Sequence, residues 1–169
     1  LTPEIEFALA RKGISYRTYG GLKFFQKAHI KDVLAYLKVI YNPYDENSWR
    51  RITVLQQGLG LASFNNMWAR LKNYPNPLEA ALKKEEAPAR GKAGWDALLV
   101  TLEALYKNSA DEVANLIRII LENNYEQILR TNYMDQFEER LRGIERLMIY
   151  AERFESLASF LESLVLEES

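Results

Sequence analysis

Three residues in the first half of the chain, Gly58-Leu59-Gly60, have the types and spacing to meet a phosphate. They stand between two helical patterns, the arrangement of a helix-hairpin-helix. In such a turn glycine lets the backbone come close to an anion, and amides at the start of the second helix donate to it with help from the helix dipole. This kind of contact is blind to base sequence. An ordinary turn between helices also wants glycine, so the three residues leave both readings open.

Little else in the chain points to chemistry. The single histidine, His29, has no partners at a spacing that suits nucleophilic or metal catalysis, and a surface or capping position is expected for it. Glu138, Glu139, Glu145 and Glu152 interleave with Arg140, Arg142, Arg146 and Arg153 on a predicted helix, a pattern expected of a salt-bridged, solvated face. There is no G-x-x-x-x-G-K-[ST] loop to cradle a triphosphate, and the glycines are too scattered for a dinucleotide fingerprint. Trp49, Trp68 and Trp95 could stack on bases, but aromatic residues at helical spacing are mostly core. The chain by itself is read as non-catalytic, with no metal or cofactor of its own.

The elements that must carry the Gly58 turn are helical. Ile14, Tyr16, Thr18 and Tyr19 alternate as in a short strand, and Gly20-Gly21 ends it. Ile30, Val33, Leu34, Leu37 and Ile40 then recur at helical spacing, with Lys27, Lys31, Asp32 and Lys38 assigned to the opposite, polar side. Asn42-Pro43 stops this helix. Asp45 is placed to cap a helix running to about Leu55, with Trp49, Ile52, Val54 and Leu55 inward. A helix from Ala62 to Lys72 follows the glycines, then a short one from Leu78 to Lys84. The run 83–94, KKEEAPARGKAG, is rich in helix breakers and is the best candidate for a linker or mobile loop.

Trp95 to Tyr106 is again helical, Ser109 and Glu112 have capping-box spacing for the helix that carries Val113 to Leu121, and further helices are expected over 125–130, 135–154 and 156–166. The expected fold is therefore mostly α, a multi-helix, bundle-like unit with one short N-terminal strand.

Charge is unevenly spread. Residues 1–107 hold 16 Lys/Arg and 10 Asp/Glu, and residues 108–169 hold 6 and 13, a net of +6 against −7. Such a split can turn a basic face to phosphate, although solvated helix faces would give it too. The absence of cysteine excludes disulfides and thiol chemistry and fits an intracellular protein. No apolar run approaches the roughly 20 residues a membrane helix needs, so no membrane partner is expected. The first residue is Leu1, inside a helical pattern from Pro3 to Lys12, which predicts a longer natural protein.

The stretch 13–42, GISYRTYGGLKFFQKAHIKDVLAYLKVIYN, resembles an I-P-Y-x-x-Y-G-G-x-x-F-F-x-x-x-E-I-K-D-x-x-A-Y-L-R pattern of UvrD, PcrA and Rep, the superfamily 1 DNA helicases. There the pattern leads out of the second motor domain into an inserted subdomain, 2B. The segment 125–166, closing on RFESLASFLESLVL, is similar to the closing segment of the same subdomain in one bacterial branch of the family, which returns the chain to the motor. The resemblance implies that 1–22 is the edge of the motor domain with the hinge, 23–166 the helical 2B subdomain, and 167–169 the start of the return. Gly20, Gly21 and Leu166 would be hinge positions. Gly58, Leu59 and Gly60 match a G-I-G element that touches duplex DNA, with Ala62 and Ser63 in the following helical turn. Gln56 and Gln57 stand where a proline or basic residue is common, and Pro3 stands where a nucleotide-sensing arginine would be. The implied parent is a 3′ to 5′ helicase of DNA repair or replication, cytoplasmic and nucleoid-associated, with ATP and Mg held by parts outside this chain. Its partners would be a DNA duplex or fork junction, its own motor domains, and repair or transcription proteins. The alternative is a helical module that docks proteins without touching DNA.

Overall fold

The computed structural model describes residues 21–168, in which every regular element is helical. The expected strand over 14–19 and the hinge glycine Gly20 lie outside the described residues. A short helix α1 (Gly21–Phe25) leads into α2 (Ala28–Tyr41), followed by α3 (Glu46–Val54), α4 (Leu61–Leu71) and α5 (Pro77–Leu82). Next come the long α6 (Lys92–Lys107) and α7 (Val113–Ile120), which passes through a π-helical turn (Leu121–Tyr125) into α8 (Glu126–Asn132). A single 3-10 turn (Met134–Gln136) then opens α9 (Phe137–Ala151), and α10 (Leu157–Glu168) closes the described chain. The segment expected to be a linker is shorter than its composition suggests. Lys92, Ala93 and Gly94 already belong to α6, and Arg70 holds the preceding loop through Glu86 at 2.7 Å and the Ala87 carbonyl at 3.2 Å.

α2 is the central helix, packed on α3, α6, α7, α9 and α10. Its buried residues run almost all round, from Ile30 and Val33 through Tyr36 and Leu37 to Val39, which is the composition of a helix with neighbours on every side. Asp45 caps α3 by accepting from the Ser48 amide at 3.1 Å, as its position predicts. The expected Ser109 capping box does not form. Glu112 is the N-cap of α7 and gives no side-chain cap, because Ser109 lies in the turn that closes α6.

The tryptophans belong to the core. Trp49 is fully buried, stacks on Trp95 with ring centres 6.3 Å apart, and donates its indole N–H to the Pro43 carbonyl at 2.8 Å. Trp68 stacks on Phe64 and donates to Glu46 at 2.9 Å. None of the three presents a ring face for a base. Val54, assigned inward by its type, is 39% exposed, since α3 ends there and its last turn leaves the core.

Arg140, Arg146 and Arg153, in and just after α9, differ from the sequence expectation. Among the described residues, the carboxylates of 138–152 make no ion pair with Arg140, Arg142 or Arg153. Arg140 instead lies 3.7 Å from the centre of the Tyr133 ring, Arg146 over Phe24, and Arg153 over Tyr150 and Phe154. A guanidinium is weakly hydrated and planar, so an aromatic face competes well with an exposed carboxylate for it.

Candidate nucleic-acid interface

The turn between α3 and α4 is built by backbone geometry. After Val54 the chain tightens, with the Gln56 amide on the Thr53 carbonyl at 3.0 Å and the Leu59 amide on the Gln56 carbonyl at 3.2 Å. Gly58 has φ of +82°, a left-handed conformation that side chains strain to adopt. Leu59 points its side chain into the core, 5% exposed, and anchors the turn. Gly60 is the N-cap of α4, extended and open: a Cβ built there meets nothing within 4 Å.

The first amide of α4 to bond within the helix is that of Phe64, on the Gly60 carbonyl at 3.0 Å. Helix geometry leaves the amides of Leu61, Ala62 and Ser63 without intrahelical acceptors. No side chain caps them, and no acidic residue stands in the first turn. Leu61 and Ala62 are exposed and Ser63 is half-buried. The five sequence candidates thus share one turn, with different parts in it: Leu59 is the anchor, Gly58 the bend, and Gly60 with the next three amides the open face.

A second glycine pair supports the turn, which the sequence did not single out. Gly91, at φ +73°, is the N-cap of α6, and a Cβ there would stand 2.6 Å from the Leu59 Cδ2 and 2.7 Å from the Gly58 carbonyl oxygen. At Gly94 a Cβ would fall on the Gln57 carbonyl oxygen and 3.1 Å from the Gln56 Cβ. The start of α6 is therefore pressed against the turn backbone, possible only because both positions lack side chains. The G-x-x-G spacing of 91–94 was the available signal, hidden by the apparent linker composition around it.

Buried polar groups hold the turn from the other side. The Gln56 side chain pairs reciprocally with Asn124: its Nε2 donates to the Asn124 Oδ1 at 3.0 Å and its Oε1 accepts from the Asn124 Nδ2 at 3.0 Å. The Tyr36 hydroxyl donates to the same Asn124 Oδ1, and burial raises its pKa far above the ordinary tyrosine value. One helical turn earlier on α2, Asp32 accepts from the Arg51 Nε at 2.7 Å and from the Tyr125 hydroxyl at 2.6 Å. Burial, with the Asp32 charge adding to it, holds the Tyr125 hydroxyl protonated. Asp32 is thus 4% exposed, not on a polar face as its type suggested; its two partners supply the compensation a buried carboxylate needs. Asn124 and Tyr125 both come from the π-helical turn, a feature no residue pattern announces.

His29 is likewise buried, at 5% exposure, and not a surface cap. Arg140 Nη1 lies 3.0 Å from its Nδ1 and must be the donor, so the ring proton sits on Nε2. Burial first, then the charges of Arg140 and Lys27, push its pKa down to about 4. The unfolded chain takes up this proton near 6.5 while the folded protein resists it to about 4. Stability present above pH 6.5 is therefore lost as pH falls through that window. Thermal melts from pH 7 to 4.5 are expected to show the protein losing about 2 kcal/mol more than a His29→Gln variant over the same range. Parallel losses in the two would remove His29 from the account.

The chain belongs to the UvrD-like helicase C-terminal domain family, which matches residues 2–167. It is similar to a probable DNA helicase II homolog of Rickettsia conorii, 27% identical over 175 residues that cover 98% of this chain and 27% of that protein. It is also similar to the ATP-dependent DNA helicase PcrA of Bacillus subtilis, 27% identical across 96% of this chain and 24% of the relative. A shorter stretch of 48 residues is 50% identical to DNA helicase II of Haemophilus influenzae, covering 28% of this chain and 7% of that protein. The chain spans about a quarter of the length of the full-length matches.

Proposed function

We propose that this chain is the accessory 2B subdomain of an ATP-dependent 3′ to 5′ DNA helicase, and that it holds duplex DNA ahead of the fork through the turn at 58–60. The family supports the helicase assignment, and the open Gly60 carries the DNA contact. Three uncapped amides at the start of α4, an absence of acidic residues in its first turn, and empty space over Gly60 together suit a phosphate oxygen. ATP and Mg would be bound by motor domains outside the chain, which would itself hydrolyse no ATP. Gly20, Gly21 and Leu166 would be the pivots on which the subdomain swings relative to the motor, a hinge motion of the whole body.

Binding to a labelled duplex oligonucleotide is expected at low salt, independent of base sequence and falling steeply as salt rises. Gly60→Asp puts a carboxylate where the phosphate would sit and is expected to weaken it about tenfold, the scale of a charged hydrogen-bonded contact. Fluorescence anisotropy measures both. Duplex binding that Gly60→Asp leaves intact would falsify the assignment of the turn. If no duplex binds at any salt, the helical body is better read as a protein-docking module.

A further inference from the structure

A hollow of about 570 Å³ lies between the start of α2 and the face of α9, lined by Lys27, His29, Gln136, Arg140, Arg142 and Arg146 among others. Four cations border it against one carboxylate, that of Glu139. This runs against local composition. Residues 108–169 hold 6 basic and 13 acidic residues, yet three of those 6 and one of those 13 line the hollow. Lys27 and Arg142 are exposed and make no ion pair among the described residues. Arg140 is held in place by the Tyr133 ring beneath it and by Gln136 Oε1, to which its Nε donates at 2.9 Å.

The remaining donors also suit an anion. α2 begins at Ala28 with Lys27 as N-cap, without a side-chain cap and without an acidic residue in its first turn; the Ile30 amide bonds the Lys27 carbonyl at 3.1 Å, and helix geometry leaves the amides of Ala28 and His29, two residues that line the hollow, without intrahelical acceptors. His29 also lines the hollow, 5% exposed, with its Nε2 against Gly143 of α9. A Cβ on Gly143 would stand 2.9 Å from that nitrogen, so a glycine at 143 leaves the ring its room. Charged and neutral donors thus converge from two helices on one space, which matches a tetrahedral oxyanion accepting from several directions.

The hollow lies at the end of α2 that Arg51 of α3 reaches. Arg51, in the last turns of α3, donates to the Ala28 carbonyl at 3.2 Å, so the end of α3 and the start of α2 share one end of their hairpin. The 55–60 turn leaves from that end. We propose that the hollow is a second phosphate site, which takes a backbone phosphate of the DNA held by the 58–60 turn. The choice of DNA as the source rests on the function proposed above; the site itself rests on the hollow and its cations.

The test uses the 169-residue protein and a labelled duplex oligonucleotide. Lys27→Glu combined with Arg142→Glu alters two exposed side chains, and unchanged melting would show that the fold is kept. A control reverses two exposed cations elsewhere, Lys107→Glu with Arg118→Glu, to give the same change in net charge. The Lys27/Arg142 variant is expected to lose at least tenfold in duplex affinity beyond the control. The slope of log affinity against log salt should fall by about 1 to 2. A loss no greater than the control's overturns the proposal. Pyrophosphate bound more tightly than duplex at the same ionic strength overturns DNA as the source. Gly60→Asp separates the two readings: if it alone weakens binding, the turn stands and the hollow fails, and if the Lys27/Arg142 variant alone does so, the reverse holds.

Discussion

Asp32→Ala is expected to lower the unfolding free energy by about 3 to 5 kcal/mol, because it breaks a buried ionic cluster from its centre. The carboxylate is 4% exposed and both of its oxygens are occupied, one by Arg51 Nε at 2.7 Å and the other by the Tyr125 hydroxyl at 2.6 Å. Without it, the Tyr125 hydroxyl is left as a buried donor with no acceptor, while Arg51, whose side chain is 37% exposed, can turn to water. The larger part of the loss should therefore travel with Tyr125. In a double-mutant cycle, Asp32→Ala made in a Tyr125→Phe background should cost clearly less than in the native protein. For a chain of this length the single variant should melt roughly 10 °C lower. Strict additivity between the two positions would show that the tyrosine does not depend on the carboxylate.

Gly94→Ala should cost about 2 to 3 kcal/mol, although alanine is the better helix former and α6 is otherwise regular there. The added methyl would fall on the Gln57 carbonyl oxygen, a backbone atom that cannot rotate away, and close to the Gln56 Cβ. Relief requires α6 to move off the 55–60 turn, which also loosens the Gln56 pairing with Asn124. The variant should thus show two effects with one cause: a lower melting temperature and weaker duplex binding. Alanine at Ala93's neighbour on the exposed side would do neither, so chemical denaturation of Gly94→Ala beside Lys92→Ala gives the contrast. Equal stability of the two variants would refute the close approach.

Much of this was legible in the sequence, and the reasons for the rest are specific. Helical spacing found the buried faces of α2, α4, α6 and α7, because burial there follows the hydrophobic period. The 58–60 turn was legible because positive φ has a residue signature. Asp32 and His29 were misplaced because both are polar residues whose burial depends on partners far along the chain: Tyr125 in one case, Arg140 in the other. A one-dimensional pattern holds no record of such pairings. Spacing assigns Arg140, Arg146 and Arg153 to carboxylates, while the structure sets them on aromatic rings brought in from another element as well as from neighbouring turns. Gly91 and Gly94 were hidden for a different cause: breaker-rich composition looks alike in a loose linker and in a backbone that must be bare to be approached.

The π-helical turn at Leu121–Tyr125 makes the long rod from Val113 to Asn132 a device for changing phase. A π turn carries one residue more than an α turn, and each residue of α-helix advances the side-chain direction by about 100°. The side chains after it are therefore out of phase with those before it. Deleting one residue there would leave the rod helical and its composition nearly unchanged. It would rotate everything downstream out of step, and Asn124 and Tyr125 could no longer both meet Gln56 and Asp32. The polar interior behind the 58–60 turn thus depends on the count of residues in the rod as much as on their identity.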